Sequence, residues 1–256
     1  MPPDDVFAPI AALPAVADAV AEARVAVDGQ RGHRVLRHSA EKVSAESTLR
    51  GARASAALEG ADLPLDVVRR TVRASGHLPE PEGPVVEGAL RVAAEVGLLQ
   101  ETWRRAPLQV LARLHVLAAA GRISADELGR PRPEAAARLA SLASLLSTTQ
   151  APAVVISAVV HGEVQAMQAF PVGGGVVARG VARLVLITRG LDPSAVSVPE
   201  VGHVDLGKQA YEDALAGYAA GGEDGIAGWV VHCAQAVVLG AREGVAVCES
   251  IQRGAI

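Results

Sequence analysis

Residues 168–184 read QAFPVGGGVVARGVARL, and this stretch decides how the chain is interpreted. Three consecutive glycines at 173–175 precede a helix-like run that carries Arg179 and, one helical turn later, Arg183. Glycines before a helix can direct backbone N–H groups at an anion, and the helix dipole makes that end positive. The same glycines would also let a helix begin tightly with no ligand. The sequence leaves both interpretations open: an anion site that includes the two arginines, or a structural turn.

The composition is that of an ordinary globular chain of 256 residues. Half of the residues are hydrophobic but only 2% are aromatic, so we expect a core of Ala, Val and Leu. The net charge is −4, without the basic excess that a dedicated nucleic-acid-binding protein usually shows. The N-terminus lacks the basic segment of a signal peptide, and the longest apolar stretch contains His161 and Glu163. We therefore expect a cytoplasmic protein that binds neither nucleic acid nor membrane.

Apolar residues at helical spacing predict a mostly α fold, a helical bundle in a single domain with little or no strand. Gly60 ends a helix over 40–59, as glycine often does, and residues 76–84 form a loop. Residues 1–84 are interpreted as N-terminal helices and residues 85–256 as a helical core, together one compact unit. Further helices are predicted over 15–30, 134–147, 176–189, 204–219 and 224–252.

The glycines match a dinucleotide-binding fingerprint. Gly173, Gly175 and Ala178 fit G-x-G-x-x-G/A, and Asp192 follows near the spacing of a ribose-binding acid. The fingerprint needs a buried strand immediately before the first glycine, but the sequence there is QAMQAFPV and contains Pro171. A Rossmann-type NAD(P) oxidoreductase is therefore the weakest of the functional hypotheses.

The same region resembles the signature of the Fic (Fido) family, whose motif is H-P-F-x-[DE]-G-N-G-R-x-x-R. Phe170, Gly173, Gly175 and Arg179 occupy matching positions, and His161 matches a histidine common in the preceding helix. The resemblance implies a helical fold in which active members transfer AMP from ATP to a protein hydroxyl. In those enzymes the motif histidine takes the proton from the target hydroxyl.

The resemblance extends upstream, to residues 55–60, SAALEG, which fit the family's inhibitory motif [ST]-x-x-x-E-[GN]. Ser55 and Glu59 lie one turn apart on one helix face. Glu59 precedes Gly60 at a helix C-terminus, where the dipole disfavours a carboxylate by about 0.3–1 kcal/mol. The resemblance implies that Glu59 pairs with Arg179. If that pair is fully buried, we expect removal of Glu59 to cost about 3–5 kcal/mol.

Several positions depart from the family motif. Gln168 stands in place of the catalytic histidine, and its neutral amide cannot act as a general base. Val172 replaces the acid that holds Mg²⁺, Gly174 the motif asparagine, and Val176 the first arginine, a phosphate clamp. A valine offers no oxygen to a hard cation. We therefore expect no Mg²⁺ and no ordinary AMP transfer, and we assign no catalytic residue and no metal ligand.

Other polar residues have weaker claims to a role in the site. His203 is a conceivable replacement base, but a structural histidine is the expected interpretation, and His232 is expected to pack in the core. Cys233 and Cys248 have no metal-ligand spacing and are interpreted as buried thiols. The stretch 121–133, GRISADELGRPRP, is short and interrupted by prolines, which makes the β-hairpin flap of active members doubtful.

Three functions follow, two of them from the resemblance. The first is a pseudoenzyme of the Fic fold that binds ATP, another nucleotide or phosphate through glycines 173–175 and Arg179, or that acts on a protein partner. The second is a diverged Fic transferase that moves AMP or another phosphate-containing group to a protein hydroxyl. The third is the Rossmann oxidoreductase.

Overall fold

The computed structural model describes residues 5–256 of the chain. Within this range the chain forms thirteen α-helices, a short 3₁₀ turn at Gly97–Leu99 and no β-strand. The predicted mostly α fold is confirmed. The helices are α1 (Ala8–Ala12), α2 (Pro14–Arg31), α3 (Leu36–Leu58), α4 (Leu65–Arg73), α5 (Gly83–Val96), α6 (Gln100–Arg105), α7 (Pro107–Ala119), α8 (Pro133–Thr148), α9 (Ala153–Ala166), α10 (Gly174–Thr188), α11 (Pro199–Leu206), α12 (Lys208–Ala220) and α13 (Glu223–Gln252).

The centre of the bundle is α10, which is buried along nearly its whole length. It packs against α9, α5 and α7, while the long α13 packs against α2, α11 and α12. Small residues let these helices approach closely. A Cβ at Gly202 of α11, for example, would overlap the backbone of Ala236 in α13. Close helix packing through glycine, alanine and valine explains how the core is filled with so few aromatic side chains.

α3 brings the upstream motif to the central helix. It ends at Leu58, and Gly60 follows with a φ of 89°, the left-handed conformation that commonly terminates helices. α3 packs along α5 and α11 and also contacts α10. α5 begins at Gly83, so the predicted boundary at residue 84 falls within its first turn, and the division of the chain at that point stays a prediction.

The predicted helix over 204–219 is wrong in its bounds. Gly207 has a φ of 99° and separates α11 from α12. α11 begins earlier than expected, at Pro199, whose ring fixes a φ suited to a first helical turn. The break gives Glu200 and His203 a short helix of their own, on which both side chains are buried.

The Rossmann hypothesis is wrong, because residues 5–256 contain no strand that could precede Gly173. Asp192 has a structural role instead of a ribose-binding one. Its carboxylate accepts hydrogen bonds from the N–H groups of Val196 and Ser197, at 3.1 and 2.8 Å. The stretch 121–133 forms turns and no hairpin.

Among the described helices, α13 is long and apolar enough to cross a membrane by length and composition alone. However, 61% of its most apolar window is buried within the fold. Core helices of that length pass the same test, so α13 is weak evidence for a membrane span.

Candidate functional site

The glycine loop is a tight helix start. Gly173 adopts the left-handed conformation, with a φ of 76°, and α10 begins at the next residue. A Cβ at Gly173 would lie 3.0 Å from the Cβ of Ala118 at the end of α7, so the loop passes close to that helix. The first turn of α10 therefore begins against packed side chains, with its positive dipole end directed at the upstream motif.

Arg179 lies on α10 with only 3% of its surface exposed, and its guanidinium is almost fully engaged. Its Nε donates to Ser55 Oγ at 2.9 Å, and its Nη2 donates to Ser55 O at 2.9 Å and to Glu59 Oε1 at 2.7 Å. Its Nη1 donates to the Tyr211 hydroxyl at 3.2 Å. Arg179 is thus brought together with Ser55 and Glu59, which lie more than a hundred positions earlier in the chain.

The Glu59 carboxylate lies over the first turn of α10. A Cβ at Gly175 would overlap Glu59 Oε1 and would lie 3.1 Å from Arg179 Nη1. Glycine at 175 is therefore what gives the carboxylate room. An anion bound at this helix N-terminus and on this arginine would occupy the same place. The Glu59 side chain keeps 28% exposure, so the pair is only half closed to solvent.

Tyr211 connects Arg179 to Gln165 and His161 through its hydroxyl group. Its oxygen accepts from Arg179 and, at 3.4 Å, from Gln165 Nε2, so its own hydrogen is left to point at His161 Nε2, 2.8 Å away. His161 then accepts at Nε2 and carries its proton on Nδ1. Burial, reinforced by the Arg179 charge, holds the pKa of His161 well below its usual value, so this histidine is neutral. The hydroxyl of Tyr211 thereby holds the Nη1 atom of Arg179, while Ser55 holds Nε and Nη2.

A cluster of buried histidines lies next to Tyr211. His203 Nδ1 and His232 Nε2 are 3.1 Å apart, and both rings stack parallel to Trp229. Burial lowers the pKa of His203 strongly and that of His232 as well. His203 is 4% exposed and packs in this cluster, which matches the structural role expected for it.

A small cavity of about 20 Å³ lies beside the cluster, large enough for one water molecule. His161, His203 and Cys233 line it, and one potential metal-binding atom from each lies within 4.8 Å of the others. Arg179 and Arg183 line the same cavity, and their positive charges oppose a cation there. Burial also raises the pKa of Cys233 well above its usual value, which keeps a neutral thiol.

Arg183 does not join the glycine loop, contrary to its grouping with Arg179 on the sequence. Its Nη1 lies 3.3 Å from Glu200 Oε2, and its Nη2 donates to Ala195 O at 2.8 Å. Both side chains of this pair are buried, at 6% and 7% exposure. Gly51 of α3 makes room for it, because a Cβ there would lie 2.7 Å from Arg183 Nη1.

The residues that depart from the motif differ in their exposure. Gln168 is exposed, has a φ of 45° and faces Arg132, whose Nη1 is 3.4 Å from the amide oxygen. Val176 is buried at 2% exposure, and Val172 is half-buried in the loop. The neutral amide of Gln168 supplies no general base, and the two valines supply no oxygen ligand.

Comparison with solved structures places this arrangement in a known fold. A Fic family protein from Desulfovibrio desulfuricans matches with a TM-score of 0.75 and 22% identity, over 91% of this chain and 74% of that one. The chain has the Fic fold. Fic-1 from C. elegans matches with a TM-score of 0.75 and 16% identity, over 92% of this chain and 73% of that one.

A Fic domain containing signaling protein from Bacteroides thetaiotaomicron also has this Fic fold, with a TM-score of 0.65 and 12% identity, over 91% of this chain and 98% of that one. No protein-family model and no curated protein matches the sequence. Identities this low establish the fold alone, so the function must be argued from the residues of the site.

Sequence reasoning missed two members of the site, Tyr211 and Glu200. The chain has only two tyrosines, so Tyr211 is a residue that the sequence could have singled out. Glu200 gave no signal, because a single acid in an unrecognised short helix looks like a surface residue. Its role depends on α11 packing between α3 and α13.

Proposed function

We propose that this Fic-fold protein binds the phosphates of a nucleotide such as ATP at the N-terminus of α10 when Glu59 moves away, and that it does not carry out Mg²⁺-dependent AMP transfer. The observation that carries the proposal is the position of Glu59. Its carboxylate is an anion on Arg179 and above Gly175, the two features that would also receive a phosphate.

The contacts of Arg179 favour a ligand that exchanges with Glu59. Ser55 and Tyr211 together take up three of the four hydrogen bonds of the guanidinium, so the arginine would stay in place when the glutamate leaves. Glu59 caps the end of α3 beside the left-handed Gly60, with its side chain partly in solvent. The α3 dipole disfavours a carboxylate at that helix end, whereas the N-terminus of α10 favours it in the closed position, so the two dipoles act against each other.

The absence of transfer follows from the chemistry of three side chains. The amide of Gln168 cannot take a proton, which by itself costs a factor of about 10²–10⁴ in rate. Val172 and Val176 remove an oxygen ligand for Mg²⁺ and a positive charge, two means by which phosphoryl chemistry is usually stabilised. The site can still bind a nucleotide and act in regulation. In that role a protein partner would recognise the nucleotide-bound form.

Thermal unfolding with added nucleotide tests the binding part. ATP at 100 times its dissociation constant should stabilise the protein by about 2.7 kcal/mol. We expect this shift in Glu59→Gly without Mg²⁺ and a much smaller one in the wild type. Asp62→Gly is the matched control, because it removes an exposed acid near the same helix end that pairs with Arg53 instead. Equal shifts in all three proteins would contradict the role of Glu59.

A labelling experiment tests the second half of the proposal, the absence of AMP transfer. Incubation of Glu59→Gly with radiolabelled ATP and a cell lysate should transfer no label. Label that appears on a lysate protein and disappears with Arg179→Ala would favour the diverged transferase instead. A cytoplasmic location belongs to the same proposal, and the two free, buried thiols favour it.

A further inference from the structure

Gln165 has a side-chain amide that the fold holds only weakly. The residue lies in the last turn of α9 and is half-buried. Its Nε2 donates to the Tyr211 hydroxyl at 3.4 Å, and the amide makes no other hydrogen bond among the described residues. That separation exceeds the usual N–H···O distance of about 2.7–3.2 Å, so the bond is weak and the amide is free to turn.

The amide of Gln165 faces the first turn of α10. A Cβ at Gly174 would lie 4.0 Å from Gln165 Oε1, which is ordinary van der Waals contact. At the next residue, Gly175, a Cβ would instead overlap Glu59 Oε1. Two consecutive glycines at the start of α10 therefore face two polar side chains from other helices, one an amide and the other an acid.

These two side chains are also linked to the same guanidinium. Glu59 accepts a hydrogen bond from Arg179 Nη2 at 2.7 Å. Gln165 is joined to Arg179 Nη1 through the Tyr211 hydroxyl, which accepts from both. The carboxylate of Glu59 marks the place of an anion in this structure, and Gln165 is the neutral polar neighbour of that place.

The backbone beside the amide also has donors to offer. Val177 N, which donates to Gly173 O at 3.0 Å, is the first N–H group of α10 with a backbone partner among the described residues. No side chain caps this helix end. The N–H groups of the first three residues of α10 therefore remain for an external acceptor. An acceptor that reached them would also come within reach of Gln165.

We propose that Gln165 is a phosphate-binding residue of this site. When a nucleotide displaces Glu59, the amide turns and its Nε2 donates to a phosphate oxygen. This inference rests on the proposed function, since it concerns the same ligand. A phosphate chain is longer than a carboxylate, so it would extend from Gly175 across Gly174, where the amide lies.

The exchange of partners favours binding. Gln165 gives up only its long bond to Tyr211, whose hydroxyl keeps the shorter contacts with His161 and Arg179, at 2.8 and 3.2 Å. In return the amide gains a hydrogen bond to a charged acceptor, which is about twice as strong as one between neutral groups. A neutral donor at this place compensates in part for the charge that Val176 does not supply.

Calorimetric titration of ATP without Mg²⁺ into Glu59→Gly, with a second substitution at position 165, tests the inference. Gln165→Met removes the donor at similar length and should weaken ATP binding about tenfold. Gln165→Glu should weaken binding further, because it places a negative charge beside the phosphates, whereas Gln165→Lys should bind ATP at least as tightly as Glu59→Gly alone. The same three substitutions at Gln109, an exposed residue of α7, are the controls and should change the affinity less than about twofold.

The pair of charged variants separates a phosphate contact from a structural role, because both lose the amide and differ in the sign of the charge. Equal affinity in Gln165→Glu and Gln165→Lys, or an unchanged affinity in Gln165→Met, would overturn the inference and leave the proposed function standing. Absence of ATP binding by Glu59→Gly itself would instead contradict the proposed function, and the inference would fail with it.

Discussion

Two arginines on the same face of α10, one turn apart, are each paired with a glutamate from another helix. Arg179 pairs with Glu59 at 2.7 Å, and Arg183 pairs with Glu200 at 3.3 Å. Both arginines are buried, and a glycine makes room for each pair. The difference lies in the acids: the Glu59 side chain is 28% exposed, whereas the Glu200 side chain is 7% exposed.

This difference separates a contact that can open from one that holds the fold. Glu200 sits on α11 between other helices, so its carboxylate is almost fully withdrawn from bulk solvent. Glu59 lies at the end of α3, so water can solvate its carboxylate when the side chain leaves Arg179. The same ion-pair chemistry therefore serves a structural role at Arg183 and, in our proposal, a gating role at Arg179.

The largest effect is expected from neutralising the two acids in parallel. Glu200→Gln leaves the Arg183 charge buried without a counter-charge, which should cost about 3–5 kcal/mol of unfolding free energy. Glu59→Gln should cost about 1–2 kcal/mol, because water reaches the pair and Ser55 still holds the arginine. Urea unfolding of both variants measures the two values. Equal losses would remove the distinction between the pairs.

The second largest effect that we expect is a loss of folding stability as the pH falls. His161 and His203 line the cavity between the two arginines, and burial keeps their pKa values well below the unfolded value of about 6.5. Their contribution is therefore complete above about pH 6.5 and decreases as the pH falls below it, by up to about 1.4 kcal/mol per unit for each histidine.

Urea unfolding at pH 7.5, 6.5 and 5.5 measures this dependence, and we expect a loss of about 2 kcal/mol between the last two, about 1 kcal/mol for each histidine. His77→Gln, at a side chain with 96% exposure, is the control variant, because it removes a histidine and leaves the buried cluster intact. A flat profile between pH 6.5 and 5.5 would mean that these histidines are not held neutral by the fold.

Gly51 and Gly175 each leave space for one of the two ion pairs. Replacing them with alanine should give a smaller difference in unfolding free energy. Both Gly51 and Gly175 are helical, so both gain about 0.5–1 kcal/mol from helix propensity. The added Cβ at 51 meets the closed pair and should cost about 1–3 kcal/mol. At 175 it meets the free end of Glu59, which can swing out. Thermal unfolding measures the two variants. A lower melting temperature for Gly175→Ala than for Gly51→Ala would contradict the greater freedom of Glu59.

The smallest effect concerns the residue in the position of the family's histidine. Gln168 has a φ of 45°, a conformation that asparagine tolerates better than glutamine. Gln168→Asn should therefore stabilise the protein by about 0.5 kcal/mol. Ser75→Asn, at an exposed position with a φ of 51°, should give a similar gain. A destabilised Gln168→Asn would show that the amide has a role beyond its contact with Arg132.

The sequence was sufficient for the helical fold, because helix ends and helical periodicity are local signals. The pairing of Glu59 with Arg179 was expected from the resemblance to the Fic family, and no local pattern predicts it. The sequence failed where packing decides. The Arg183 partner depends on α11, whose start at Pro199 and end at Gly207 were not recognised. Tyr211 reaches Arg179 only because α12 packs against α9, a contact that no local pattern predicts.

Calorimetric titration of ATP into the wild type and Glu59→Gly, each with and without Mg²⁺, tests the central claim most directly. We predict that Glu59→Gly binds one ATP at least tenfold more tightly than the wild type, that Mg²⁺ changes the affinity little, and that adding Arg179→Ala abolishes the gain. Absence of heat in Glu59→Gly, or binding that requires Mg²⁺, would contradict the claim and leave the glycine loop as a tight start of α10.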